Sequence, residues 1–146
     1  RYFYNLGFYK DSNTNFLFVG GEQPESVQSV SDENAMQVRY ARQFNARLFS
    51  LEHRFFGTSQ PTGNTSTESF YYLSTVQSLE DAANFIRQKN IEYGSGQKWI
   101  SFGGSYPGAL SLWLREKYPD LVLGAVGSSA PINNKLEFYR TFFPVG

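Results

Sequence analysis

At 146 residues, with 13 basic and 13 acidic side chains, the chain is the size of one domain, can bury a real core, and has no formal net charge. That balance excludes an electrostatic footprint for nucleic acid or an anionic membrane surface, and no apolar run is long enough to span a bilayer as a helix. The absence of cysteine excludes a disulfide framework, a cysteine nucleophile and a thiolate zinc site within these residues.

In chain order, the aromatics Tyr2, Phe3, Tyr4, Phe8 and Tyr9 predict an edge strand or hairpin arm, and the segment 10–15 is a polar turn. The chain opens at Arg1 without a methionine, inside that expected strand, and is read as a fragment, so the lack of a leader says nothing about targeting. Phe16 to Val19 is a continuous apolar run of the kind buried on both faces of a sheet, and it ends in Gly20-Gly21-Glu22. Ser31 or Asp32 is expected to open a helix with acids in its first turn and with Met36, Tyr40, Ala41 and Phe44 as its buried stripe. Leu48 to Leu51 is the next strand. The polar segment from Glu52 to Leu73 is long for a strand-to-helix connection, which marks it as functional or inserted. It carries one glycosylation sequon, Asn64-Thr65-Ser66, in what reads as a surface loop. Ser74 to Gln77 fits a capping box, followed by a helical stripe of Val76, Leu79, Ala83 and Ile86 that stops at Gly94. Leu121 to Val126 is expected to form a further buried strand after Pro119 ends the preceding helix.

The stretch from Lys98 to Pro119 holds the chemistry. Trp99 to Phe102 reads as a strand, Gly103 and Gly104 as a tight turn, and Leu110, Trp113, Leu114 and Lys117 as one face of a helix. Ser105 stands at that turn, where a nucleophile elbow would hold its hydroxyl above the end of a sheet. The usual pattern is G-x-S-x-G, and Pro107 replaces its second glycine. A proline is tolerated in a first helical turn and leaves the N–H of Tyr106 available to an oxyanion hole. Taken alone, the same turn also suits any strand-to-helix junction.

Alternating strands and helices predict an α/β fold with a mostly parallel sheet and helices on both faces, with ligands at the carboxyl ends of the strands. Four stretches should meet there: Gly20 to Glu22, Glu52 to Arg54, Ser105-Tyr106 and Ser128-Ser129. The two serines 128 and 129 precede proline without a helical pattern, so they are read as loop residues supporting the site. No phosphate-loop lysine ending, dinucleotide glycine motif or histidine pair competes, and no cofactor or metal is called for.

The blocks Phe16 to Glu25, Leu51 to Ser59, Phe102 to Gly108 and Leu123 to Pro131 resemble, in order, those of the serine peptidases that include prolyl carboxypeptidase, dipeptidyl peptidase II and thymus-specific serine protease. The resemblance covers nearly the whole chain, and the proline after Ser-Tyr is similar to the thymus-specific branch. It implies an α/β-hydrolase fold of which residues 1–146 are the N-terminal part, with a helical cap and the rest of the catalytic domain later in the polypeptide. Further implications are proline-containing peptide substrates, a secreted or lysosomal home, and room for a homodimer of the whole protein. Ser105 is then the nucleophile of an acyl transfer, with the oxyanion held by the Tyr106 N–H and by an amide of the Gly21-Glu22 loop, each such donor typically worth about 3 kcal/mol of barrier. Alternatives are a carboxylic-ester hydrolase, since the elbow serves both, and a non-catalytic hydrolase-fold binding protein.

His53 is the sole histidine, but it precedes Ser105, whereas in α/β-hydrolases the serine comes first, then the acid, then the histidine. The triad acid and base are therefore expected beyond Gly146, and the 146 residues alone are expected to be inactive. Glu22, Glu25 and Glu52 could bind a substrate amine, or else cap helices and pair with Arg54. Some of Phe55, Phe56, Phe70, Tyr71 and Tyr72 are candidates to line an apolar pocket.

Overall fold

The computed structural model describes residues 1–133. In it the aromatic and β-branched runs become five strands: β1 (Tyr2–Asn5), β2 (Thr14–Val19), β3 (Arg47–Leu51), β4 (Lys98–Gly104) and β5 (Gly124–Ser128). They form one sheet in the order β1-β3-β2-β4-β5, in which only β1 runs antiparallel, pairing Tyr2 with Leu51 and Asn5 with Leu48. The other four are parallel, so their carboxyl ends share one edge.

Between them run α1 (Gln28–Ser31), α2 (Met36–Gln43), α3 (Thr75–Tyr93) and α4 (Tyr106–Lys117). Helices α3 and α4 cover one face, where Leu17, Val19, Phe49 and Trp99 pack against Leu79, Ala83, Ile86, Leu110 and Leu114. The opposite face carries Phe16, Leu48 and Phe102 under Val30, Val38 and Ala41. Successive residues of β2 thus feed opposite cores, with Phe16 and Leu17 both buried, which is why that strand reads as an unbroken apolar run.

Four expectations need correction. No helix starts at Ser31 or Asp32: the Asp32 carboxylate accepts the Asn34 N–H at 2.9 Å in a turn between α1 and α2, and α2 begins after Ala35. Its buried side is Gln37, Val38 and Ala41, whereas Met36, Tyr40 and Phe44 stay 40–55% exposed. Phe16 and Phe102 already fill the sheet surface, leaving room beneath the helix for small side chains, and the larger rings lean over their edges with Tyr40 6.4 Å from Phe102. The last strand is shorter and later than its apolar run. Leu121 and Val122 donate back to the Tyr118 carbonyl at 3.0 Å each, the Leu123 N–H then donates to the Trp99 carbonyl of β4 at 2.8 Å, and the paired register starts at Gly124. Val122 is buried without being in a strand. On α3, Ser74 caps the Gln77 N–H at 3.3 Å as expected, but Val76 is exposed and the stripe runs through Leu79, Ala82, Ala83 and Ile86.

Candidate active site

Between β4 and α4 the chain reverses within a single residue. Ser105 has φ 58° and ψ −129°, a left-handed conformation that costs a non-glycine residue on the order of 1–3 kcal/mol and persists only where the surroundings over-determine it. Two backbone bonds do so: the Ser105 N–H donates to the Ser128 carbonyl at 2.9 Å, and its carbonyl accepts the Ala109 N–H at 3.1 Å. The turn is tight enough to require glycine at 103, where a Cβ would stand 2.1 Å from the Pro107 carbonyl oxygen. The Ser105 side chain is exposed and has no hydrogen-bond partner among the described residues. A mostly parallel sheet with helices on both faces and a serine presented this way is the α/β-hydrolase arrangement.

The loop after β2 lies against this turn. Gly21 packs on the Pro107 ring so closely that a Cβ there would be 2.3 Å from the proline Cγ. The proline that breaks the usual motif is therefore seated on the glycine loop. On its other side the loop is tied to the end of β3: the Gly20 N–H donates to the Leu51 carbonyl at 2.9 Å, and the Glu25 N–H donates to the Glu52 carboxylate at 3.0 Å. Among the described residues the backbone N–H groups of Gly21, Glu22 and Tyr106 have no acceptor. An open cleft of about 460 Å³ is lined by Phe18, Gly21, Glu22, Gly104, Ser105 and Pro107, among others. Three free amides beside an exposed hydroxyl, one of them at the positive end of α4, can stabilise negative charge that develops on a substrate oxygen.

The three glutamates separate, and none pairs with Arg54. That guanidinium takes both oxygens of Asp81 at 2.6 and 2.7 Å, and also bonds the Tyr72 carbonyl and the Gln77 side chain. Nothing in the sequence marked Asp81, on the far side of a long loop, as its partner. Glu52 is buried and bonds Arg1 and the N–H groups of Thr58 and Ser59. Burial alone would raise its pKa, but these bonds overcome that and hold it down at about 2. Glu25 accepts the hydroxyls of Ser29 and Ser50 at 2.6 and 2.5 Å. Glu22 alone is exposed in the cleft.

His53 is buried at the end of β3 and does not reach Ser105. Its Nδ1 faces the Arg54 carbonyl at 2.7 Å and must carry the proton, so Nε2 accepts from the Tyr106 hydroxyl at 3.2 Å. Burial and the Arg54 charge push the imidazole below its ordinary value, against the Arg54 carbonyl bond and the charges of Asp81 and Glu22. The aromatic segment after it lies elsewhere. Phe56 packs edge-on against His53, Phe55 is buried against Phe70, Tyr71 is 81% exposed, and none of them lines the cleft that holds Ser105. Asn64 sits in an exposed loop, its side-chain Oδ1 accepting from the Ser66 N–H at 3.1 Å and from the Ser69 hydroxyl.

Over residues 1–145 the sequence matches one family, described as serine carboxypeptidase S28. The chain belongs to that family. It is 47% identical over 141 residues to a serine protease of Caenorhabditis elegans, covering 96% of this chain and 26% of that protein. It is 38% identical over 125 residues to the thymus-specific serine protease of Mus musculus, covering 84% and 24%. With the lysosomal Pro-X carboxypeptidase of Bos taurus it shares 36% identity over 137 residues, covering 90% and 27%. The chain thus spans about a quarter of the length of the curated S28 relatives it matches. Among solved structures, a CIB-like hydrolase of Thermoplasma acidophilum aligns with 80% of this chain and 51% of its own at 18% identity and a TM-score of 0.47, which adds nothing to the topology already described. Among the described residues, no helix is long and apolar enough to cross a membrane.

Proposed function

We propose that residues 1–146 carry the nucleophile and oxyanion loop of a serine exopeptidase that cleaves proline-containing peptides by acyl transfer. The observation that carries this reading is Ser105 itself, exposed at φ 58° between β4 and the first turn of α4. The Ser105 Oγ attacks the scissile carbonyl carbon and gives its proton to a general base, while the carbonyl oxygen becomes an oxyanion. That oxyanion accepts the Tyr106 N–H and an amide of the Gly21-Glu22 loop. The C–N bond then breaks, the base returns the proton to the leaving amine, and water releases the acyl group from Ser105 by the same steps.

The base and its acid are assigned to the polypeptide after Gly146, because the one histidine of the chain is engaged by Arg54 and Tyr106. Residues 1–146 are the N-terminal part of one catalytic domain on this reading. Preference for proline follows the name of the Pro-X carboxypeptidase relative, as does a lysosomal or secreted location. Ser105→Ala in the intact peptidase should lower kcat/KM for a prolyl dipeptide reporter by roughly 10⁴-fold or more. Retention of a tenth of the activity would refute the assignment. Purified residues 1–146 alone should be inactive on the same reporter.

A further inference from the structure

Tyr106 occupies a conflicted position. It is the first residue of α4 and it also precedes Pro107, whose ring biases the residue before it away from helical backbone angles toward extended ones. The orientation of the Tyr106 N–H depends on the backbone angles at Ser105 and Tyr106. A drift of Tyr106 toward the extended conformation would turn that amide away from the cleft. The chain places a tether on its far end: the phenol hydroxyl reaches His53 Nε2 at 3.2 Å and Thr75 Oγ1 at 3.4 Å, from the ends of β3 and α3. His53 is held in turn by the Arg54 carbonyl, and Arg54 by both oxygens of Asp81 on α3. His53 is buried among half-buried partners at the end of β3 and on α3 and α4, and its ring stands 5.8 Å from that of Tyr106.

We propose that His53 is a positioning residue, which fixes Tyr106 through its hydroxyl and so aims the backbone N–H that receives the oxyanion. This rests on Ser105 being the nucleophile. Histidine suits the task because one ring nitrogen donates to Arg54 while the other stays free to accept from the phenol. The two halves of that task can be separated by substitution. In His53→Asn the side-chain amide takes the place of Nδ1 and keeps the bond to Arg54, leaving the phenol only its longer contact with Thr75 Oγ1 at 3.4 Å. In His53→Gln the longer amide places an oxygen near the Nε2 position and keeps the bond to Tyr106.

In the intact peptidase His53→Asn should lower kcat by roughly 5- to 10-fold, the worth of one buried hydrogen bond, with KM changed less than about twofold. His53→Gln should stay within about twofold of the parent. In a Tyr106→Phe background the two should become equal, because no hydroxyl is left to hold. Equal loss in both variants with Tyr106 intact would overturn the proposal, as would a difference that persists with Tyr106→Phe. Should the histidine variants not fold, Tyr106→Phe alone decides: it must lower kcat at unchanged KM, and an unchanged kcat overturns the idea. Stoichiometric labelling of Ser105 by a fluorophosphonate in the same samples separates the outcomes, since a serine that never labels would mean that the nucleophile assignment had failed instead.

Discussion

Replacement of Gly21 by alanine tests the seating of the glycine loop on the elbow helix. A Cβ at residue 21 would lie 2.3 Å from Pro107 Cγ and 2.9 Å from Cδ. Carbon atoms pack at about 3.5–4.0 Å, so the loop or the ring must give way by more than about 1 Å. The helix end is the stiffer partner, because Pro107 is locked between the Gly103 turn and the first helical bonds, so the loop moves. An oxyanion donor works at about 2.7–3.1 Å, and one displaced by an ångström is largely lost, which corresponds to roughly 10²–10³ in kcat. Gly21→Ala should therefore cut kcat on a prolyl reporter by about 10²-fold with a smaller change in KM. Pro107→Gly removes the ring that the new methyl would strike, so the double variant should recover most of that loss. Near-parental turnover in Gly21→Ala, or a double variant no better than Gly21→Ala, would refute the reasoning.

Glu52→Gln should destabilise the fold by about 3 kcal/mol at neutral pH, since it removes the charge that holds Arg1 and three backbone amides in a buried site. The carboxyl sits at about 2 when folded against 4.5 otherwise, so its contribution is complete above about 4.5 and fades as pH falls toward 2. Denaturant midpoints of parent and variant should converge over that window, and a gap unchanged between pH 5 and 2.5 would contradict the assignment. Asn64 should carry an N-glycan when the protein is made through a secretory pathway, because its side-chain carbonyl is held by Ser66 and Ser69 while its amide nitrogen has no partner among the described residues. Deglycosylation should then lower the mass of the parent and not of Asn64→Gln, and an identical shift in both would place the glycan elsewhere.

The sequence carried the fold well where local chemistry decides it. The double-faced apolar run of β2 and the serine cap on α3 each answer to a requirement satisfied within a few residues, and the structure places both as read, whereas the glycine pair read as the turn continues β4 through Gly104 and leaves the reversal to Ser105. It carried less where packing between distant elements decides. Tyr40 and Phe44 have helical spacing suited to burial, yet the rings of Phe16 and Phe102 already occupy the space they would fill. Leu121 and Val122 are apolar enough for a strand, but the Tyr118 carbonyl holds them in a turn, and Leu123 is the first of the run to bond β4, at the Trp99 carbonyl. Pairing of Arg54 with Asp81 and the fit of Gly21 to Pro107 are properties of the fold, with no signal at the level of residue spacing. The proline that departs from the usual elbow motif illustrates the point: in sequence it reads as a tolerated exception, and in space it is a contact surface for the neighbouring loop.

Covalent capture of Ser105 bears most directly on the account. The intact peptidase, treated with a fluorophosphonate and digested, should show the adduct mass on the peptide that contains Ser105, in one-to-one stoichiometry and not in Ser105→Ala. Modification of Ser128, Ser129 or any other residue with Ser105 left free would contradict it.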